Sequence, residues 1–248
     1  MLEIYTNFAY IYDKLMYDVD YKKRADYIEG IFDANGIKPS LILDLGCGTG
    51  NFCIEMAMKG YDMIGVDKSY DMLSCAKEKS LKNGCDILYV NQDITDFELY
   101  GTVDAIICLT DTVNYLTHKR DVKKLFKLVK NYLNPGGLFI FDINSEFKLE
   151  KVLGDNVFYE VNEEISYIWQ NSYDKARKIC EFDLTFFVKN DQGKYERYDE
   201  THYERAFSVS DMEQMIKNEN MVLLDKYNDL TYIKPTKNSQ RIFFVCRK

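Results

Sequence analysis

The sequence predicts an α/β fold: a doubly wound, mostly parallel seven-stranded sheet of Rossmann-like type that carries an antiparallel β insertion. Three observations predict it. Short apolar runs alternate with amphipathic helical stretches between residues 41 and 143, the pattern of βαβ units. A glycine-rich turn, Gly46-Cys-Gly-Thr-Gly50, follows the first of those runs. From about residue 157 to 207 the pattern changes to three long stretches suited to antiparallel pairing, the middle one with period-two alternation.

Each element follows from local chemistry. Within Asp20–Gly36, Ala25, Ile28, Ile31 and Phe32 recur at helical spacing, and the stretch stops at Asn35-Gly36 with Pro39 beyond. Leu41-Ile-Leu-Asp-Leu45 reads as a short buried strand, with a helix from about Asn51. Met63–Val66 is the next strand, and Ser69 caps a helix through Lys82 that Asn83-Gly84 closes. Ile87–Val90, Val103–Leu109 and Leu138–Ile143 are further strands, with a helix over Val122–Leu133 between the last two. In the insertion, Cys180, Phe182, Leu184, Phe186 and Val188 alternate with Glu181, Asp183 and Thr185, giving one apolar face. Asn190-Asp-Gln-Gly193 is a hairpin turn leading to Tyr195–Phe207. Met212, Met215 and Ile216 mark a last helix with Ser210 as its N-cap, and Val222–Leu224 onward and Ile242–Cys246 complete the sheet. Residues 1–150 and 208–248 therefore form a core with N-terminal lid helices, and 151–207 form an antiparallel cap over its carboxyl edge, where open α/β sheets bind ligands.

Composition narrows the function classes. The 248 residues are 46% apolar and 29% charged, a globular balance. No unbroken apolar run exceeds five residues, whereas a membrane helix needs about 20, and the start lacks a secretory signal. The net charge of −8 disfavours non-specific binding to polyanions, so nucleic acid is a disfavoured partner. The seven cysteines are odd in number and form no C-x-x-C pair, and only His118 and His202 could join them, so no metal site and a cytoplasmic, reducing setting are expected. Nothing in the sequence separates a monomer from a homodimer.

The chemistry is carried by Leu43-Asp-Leu-Gly-Cys-Gly-Thr-Gly50. Glycines there permit positive φ and close approach to a ligand, and the following helix offers free N–H groups. Asp44, just before the turn, would repel a pyrophosphate but suits a positive amino group. Asp67 ends the second strand, where an acid accepts the hydroxyl hydrogens of a ribose. Asp93 follows the third strand in Gln92-Asp93-Ile94, where a carboxylate can take an adenine amino hydrogen. Three acids at three successive strand ends fit one amino-bearing nucleoside ligand better than NAD, which prefers the spacing G-x-G-x-x-G.

On these residues the sequence resembles the class I S-adenosylmethionine-dependent methyltransferases, over about residues 40–145. Asp44-x-Gly-x-Gly-x-Gly50, Asp67 and Asp93-Ile94 match that family's cofactor motifs, and Asn134-Pro-Gly-Gly-Leu138 its turn before the fifth strand. The resemblance implies the Rossmann-like methyltransferase fold and S-adenosyl-L-methionine as cofactor. It places Asp44 and Gly46 at the methionine part, Asp67 at the ribose, and Asp93 with the Ile94 backbone at the adenine. Cys47, Gly48, Lys68, Met72 and Leu109 complete the expected cofactor set, together with Tyr5 and Tyr12, whose amphipathic first helix precedes the core and would act as a lid.

A narrower resemblance links Tyr12-Asp13, Asp20-Tyr21, Thr110-Asp-Thr-Val-Asn-Tyr115 and Glu204-Arg-Ala-Phe207 to small-molecule N-methyltransferases of amino-sugar pathways. Those enzymes carry a histidine where Tyr115 falls. Tyr115, Asn114, Asp111 and Asn144 occupy the ends of the fourth and fifth strands, beside the expected position of the methyl group, and the first three are the catalytic candidates. Residues 151–207 hold 8 basic and 12 acidic side chains, a net −4 that favours a neutral or cationic small-molecule acceptor, best an amine. A wobble-uridine tRNA methyltransferase and a non-catalytic cofactor-binding module stand as alternatives. The stripe Arg120, Lys123, Lys124, Lys127 and Lys130 reads as a solvated helix face, His202 as a surface histidine and Cys47 as a packing residue.

Overall fold

The computed structural model describes residues 11–16 and 19–248. Its seven-stranded sheet contains β1 (Leu41–Leu45), β2 (Asp62–Asp67), β3 (Leu88–Asn91), β4 (Val103–Cys108), β5 (Leu133–Asn144), β10 (Val222–Asn228) and β11 (Arg241–Arg247). The strand order is β10-β11-β5-β4-β1-β2-β3. Strands β1 to β5 pair in parallel, and β11 is antiparallel to both β5 and β10. The order reverses beside β1, so the tips of β1 and β4 flank a crevice.

Helices α1 (Tyr21–Ala34), α2 (Asn51–Met58), α3 (Tyr70–Lys82), α4 (Lys119–Tyr132) and α5 (Val209–Asn218) cover the sheet. Alternation along β5 divides the core. Phe139, Phe141 and Ile143 face α4 and α5, while Leu138 and Ile140 face α1 and α2. On the first side Phe141 stacks on Phe139 and Phe244 at 4.9 and 4.8 Å between ring centroids, with Phe126 of α4 edge-on to Phe139. Asp20 caps α1 by accepting from the Lys23 N–H, and Ser69 caps α3 by accepting from the Met72 N–H.

Three local expectations are corrected. The N-cap of α5 is Ser208, whose hydroxyl accepts from the Asp211 N–H at 3.1 Å; Ser210 lies inside the first turn. The Asn134–Gly137 turn belongs to β5, because Leu133 already pairs with Val103 and a register shift between Val103 and Ala105 absorbs the extra residues. The insertion has four strands, β6 (Val157–Glu160), β7 (Ile165–Asp174), β8 (Ile179–Lys189) and β9 (Tyr195–Arg205), all antiparallel in the order β6-β7-β8-β9. Its inner face buries Cys180 and Phe182 beside Trp169, and Ile165 and Phe186 against Ile11 and Leu15 of the N-terminal segment.

One ion network joins the ends of the fold. Asp142 on β5 is fully buried and accepts from the N–H groups of Thr110 and Asp111 at 3.1 and 2.7 Å. Both residues have positive φ, 58° and 56°, which aims the two N–H groups at one anion. Arg241 on β11 pairs with Asp142 at 2.9 Å and with Asp111 at 2.6 Å, and Arg24 of α1 stands 3.8 Å from Asp142. Replacing Arg241 by Met strips the main countercharge from two buried carboxylates. The expected outcome is a loss of about 3–5 kcal/mol of stability, read as a lower urea midpoint with an unchanged slope.

Candidate active site

The loop after β1 is shaped by backbone that only glycine adopts easily. Gly46, Gly48 and Gly50 have φ of 75°, 53° and 77°. Gly46 is excluded from bearing a side chain twice over, since a Cβ would also lie 2.4 Å from Cγ2 of Thr112. The Gly46 and Cys47 N–H groups donate to the Val66 carbonyl, and the Gly48 N–H donates to Oδ2 of Asp67 at 2.9 Å. Oδ1 of Asp67 accepts from the Ser69 N–H at 2.8 Å. Asp67 thus braces the glycine loop against the start of α3, and each oxygen keeps a lone pair for a ligand hydroxyl.

Below the loop lies a cleft of about 60 Å³ lined by Tyr12, Tyr21, Asp44, Gly46, Cys47, Gly48, Thr49, Asn51, Phe52, Leu109, Thr110 and Thr112. Asp44 is buried, and its Oδ2 accepts from the Cys53 thiol at 3.1 Å. Burial pushes its carboxyl up to about 7, partly offset by the thiol and reinforced by Asp67. Arg24 contributes a complementary feature that no sequence motif flagged. Its side chain is 11% exposed, and its Nε and Nη1 are buried with no hydrogen-bond partner. An acidic group and a guanidinium in want of an acceptor therefore stand on the same side of the sheet, a donor set matched to an α-amino acid.

Above the cleft the segment 11–16 is latched by Asp13. Its Oδ1 accepts from the Thr49 hydroxyl at 2.5 Å and the Asn51 amide at 3.0 Å, and its Oδ2 pairs with Lys79 of α3 at 2.5 Å. This holds Tyr12 over the loop. Tyr5 lies outside the described residues.

The remaining expected residues fall into two groups. Leu109 lines the cleft. Asp93 is exposed, and its Oδ1 accepts from the N–H and hydroxyl of Thr95 at 2.7 and 2.8 Å. Burial opposes its ionisation, and those hydrogen bonds outweigh it, so its carboxyl sits below the ordinary value. Ile94 and Met72 are half-buried, and Lys68 is exposed at the tip of β2.

The catalytic candidates separate further. Asn114 is 0% exposed, its amide donates to the Asn144 and Arg205 carbonyls, and its Oδ1 accepts from the Asn144 N–H. All its polar capacity ties β5 to β9, so the geometry makes it a pin rather than a group that meets substrate. Asp111 is held by Arg241, and its carboxylate is near enough to Glu204 to raise that group's ionisation. Glu204 of β9 is buried, takes 2.8 Å from the Asn144 amide, and is pushed well above its ordinary value by burial and by the Asp111 carboxylate. Asn144 in turn accepts from Lys148 at 2.8 Å. Tyr115 ends the single 3₁₀ turn Thr112–Tyr115, is 44% exposed, and faces His202 of β9 edge-on at 5.9 Å and 85°. His202 is therefore half-buried at the site, not a surface histidine. Cys47 is a buried cleft residue, and all seven cysteines are free.

Among the described residues no helix is long and apolar enough to cross a membrane, and no cluster of His, Cys, Asp or Glu is arranged to hold a metal.

Residues 42–137 match a family model described as a methyltransferase domain. The Bacillus subtilis (strain 168) protein "Putative methyltransferase YqeM" is 39% identical over 248 residues, covering 99% of this chain and 97% of that one. An S-adenosylmethionine-dependent methyltransferase from Clostridium acetobutylicum has a solved structure with TM-score 0.90 and 38% identity, covering 98% of both chains. The sugar N-methyltransferase KedS8 from Streptoalloteichus shares the fold at TM-score 0.79 and 16% identity, covering 96% of this chain and 93% of that one.

Gly46→Ala should lower the thermal midpoint and weaken S-adenosylhomocysteine at least tenfold by calorimetry. Retained affinity would contradict the fit of the loop to Thr112.

Proposed function

The chain belongs to the S-adenosylmethionine-dependent methyltransferase family, with S-adenosyl-L-methionine as its cofactor, and from that premise we propose that it methylates a small amine. When bound, the cofactor supplies an activated methyl on a positively charged sulfur. The residues present fit it. Arg24, with two buried N–H groups lacking acceptors, would hold the cofactor carboxylate, and Asp44 its ammonium. Asp67 would accept from the ribose hydroxyls, and Asp93 through Oδ2 from the adenine amine. Tyr12, held down by Asp13, would exclude water from the sulfur.

The observation that carries the acceptor reading is the charge of the roof. Residues 151–207 sum to −4, half of the chain's −8, and β9 directs Glu200 and His202 to the inner face. Such a lining attracts an ammonium and repels a phosphate backbone. The likeness to KedS8, a sugar N-methyltransferase, supports an amino sugar or similar amine. Seven free cysteines support a reducing, cytoplasmic setting.

Methyl transfer is an in-line displacement, so the chain contributes chiefly alignment and exclusion of water. Tyr115 stays a phenol, since burial of its hydroxyl end and the Glu204 and Asp111 carboxylates raise its ionisation well above the ordinary value. It can donate to a polar group of the acceptor and hold it at the tip of β4. The test is S-adenosylhomocysteine formation with a panel of amino sugars and small amines against bulk tRNA. N-methyl products from the amines are expected. Saturable methylation of tRNA alone, with a salt-sensitive affinity, would overturn the reading.

Two binding outcomes follow. Asp67→Ala should weaken S-adenosylhomocysteine by about 1–3 kcal/mol in calorimetry. Asp44 is ionised above pH about 7 and protonated below it, and a ligand ammonium needs the ionised form. Affinity should therefore fall as the pH drops from 8 to 6, and Asp44→Asn should flatten that dependence.

A further inference from the structure

Strand β9 presents alternate side chains to the inner face of the insertion, and His202 pairs there across from Phe182 of β8. Its ring meets the edge of Tyr115, whose 3₁₀ turn starts at the cleft residue Thr112. Tyr115 lies within electrostatic reach of Tyr12, which closes the cleft from above. His202 is also within electrostatic reach of Lys68, which follows Asp67 at the tip of β2. The imidazole thus stands against a ring that follows the tip of β4 and within reach of a charge that follows the tip of β2.

We propose that His202 is a catalytic residue that removes the proton from the acceptor amine; this rests on the amine reading given above. Simple amines reach the site as ammonium ions, which have no lone pair to attack with. The N–H bond breaks with its electron pair kept by nitrogen, and the proton passes to an imidazole nitrogen. That pair then forms the new N–C bond as the C–S bond breaks, leaving its electrons on sulfur. The imidazolium returns its proton to solvent once the site opens. Atoms and charge balance with no further reactant.

The surroundings keep the imidazole in the accepting form. Burial, and then the Lys68 charge, push its ionisation below the ordinary value, so it is neutral at pH 7. Among the described residues, the groups that act on it include Tyr115 from the 3₁₀ turn and Lys68 from the tip of β2, with Glu200 and Glu204 on the same face of its own strand. Glu204 is buried against Asn144, and burial and the Asp111 carboxylate favour its neutral form. Glu200 is pushed up by burial.

The chain has only two histidines, so His202→Gln assigns the ring signals of the wild type in an NMR titration. With S-adenosylhomocysteine bound, the wild-type imidazole should titrate below about 6.5, and glucosamine added at pH 7 should shift its resonances. H202Q and His202→Asn should bind S-adenosylhomocysteine within threefold of wild type. Both should lose about a hundredfold or more in kcat on the amines that wild type methylates, together with the acid limb of the kcat/KM profile. An imidazole titrating above 7, or variants within threefold of wild-type kcat with an unchanged profile, would overturn the proposal. Failure of the amine reading itself looks different: wild type would then yield no N-methyl product from any amine in the panel.

Discussion

The placement of Asp142 in the backbone turn at Thr110 and Asp111 is the constraint on which the site depends. Two consecutive non-glycine residues with positive φ are costly, and a buried carboxylate is costly too. Together they satisfy each other, because the turn supplies two N–H groups to one anion. Arg241 and Arg24 then fix the charge. The result is a rigid tip on β4 from which Thr110 and Thr112 reach the cleft and Tyr115 reaches the roof. The network spans β5, β11, α1 and the β4 tip, so this tip is anchored to interior strands that lie far from the glycine loop along the chain.

The insertion is attached to this base by polar pins and to the N-terminal segment by apolar contact. Asn114 joins β5 to β9 through backbone carbonyls, and Asn144 passes on the connection to Glu204 and Lys148. Ile11 packs against Ile165 and Phe186 of the insertion, while Asp13, two residues on, grips the glycine loop and α3. One short segment therefore touches both the roof and the cofactor loop. Displacing it would break an ion pair and an apolar contact together.

Much of this was legible in the sequence where the signal was local. The glycine loop, the Ser69 cap and the alternation in β8 each depend on neighbours within a few residues, and each stands where the pattern put it. The ion network was not legible, since Arg241 and Asp142 are 99 residues apart and no spacing rule links them. No motif marks Arg24; what sets it apart is that its buried Nε and Nη1 have no hydrogen-bond partner. His202 fitted the solvent face as well as the inner one by sequence. Register decided, because Phe182 is its partner across the sheet and faces inward. Asn114 had the right address for catalysis but was claimed by backbone groups that the sequence cannot locate.

Charge explains why an acidic roof and a neutral imidazole belong together. An acceptor ammonium beside a sulfonium brings two positive charges to about 4 Å, which at an effective dielectric of about 20 costs roughly 4 kcal/mol. At about 1.4 kcal/mol per decade, that is close to three orders of magnitude in occupancy. For an amine acceptor, Glu200 and the net −4 of the insertion would offset that repulsion. A carboxylate at the point of proton removal would be a poor base for an amine, and a lysine would add a third positive charge. A histidine kept neutral by burial and by Lys68 avoids both difficulties. Once it takes the proton, the positive charge moves away from the sulfur by the width of the acceptor nitrogen, and the nucleophile meets the methyl as a neutral lone pair.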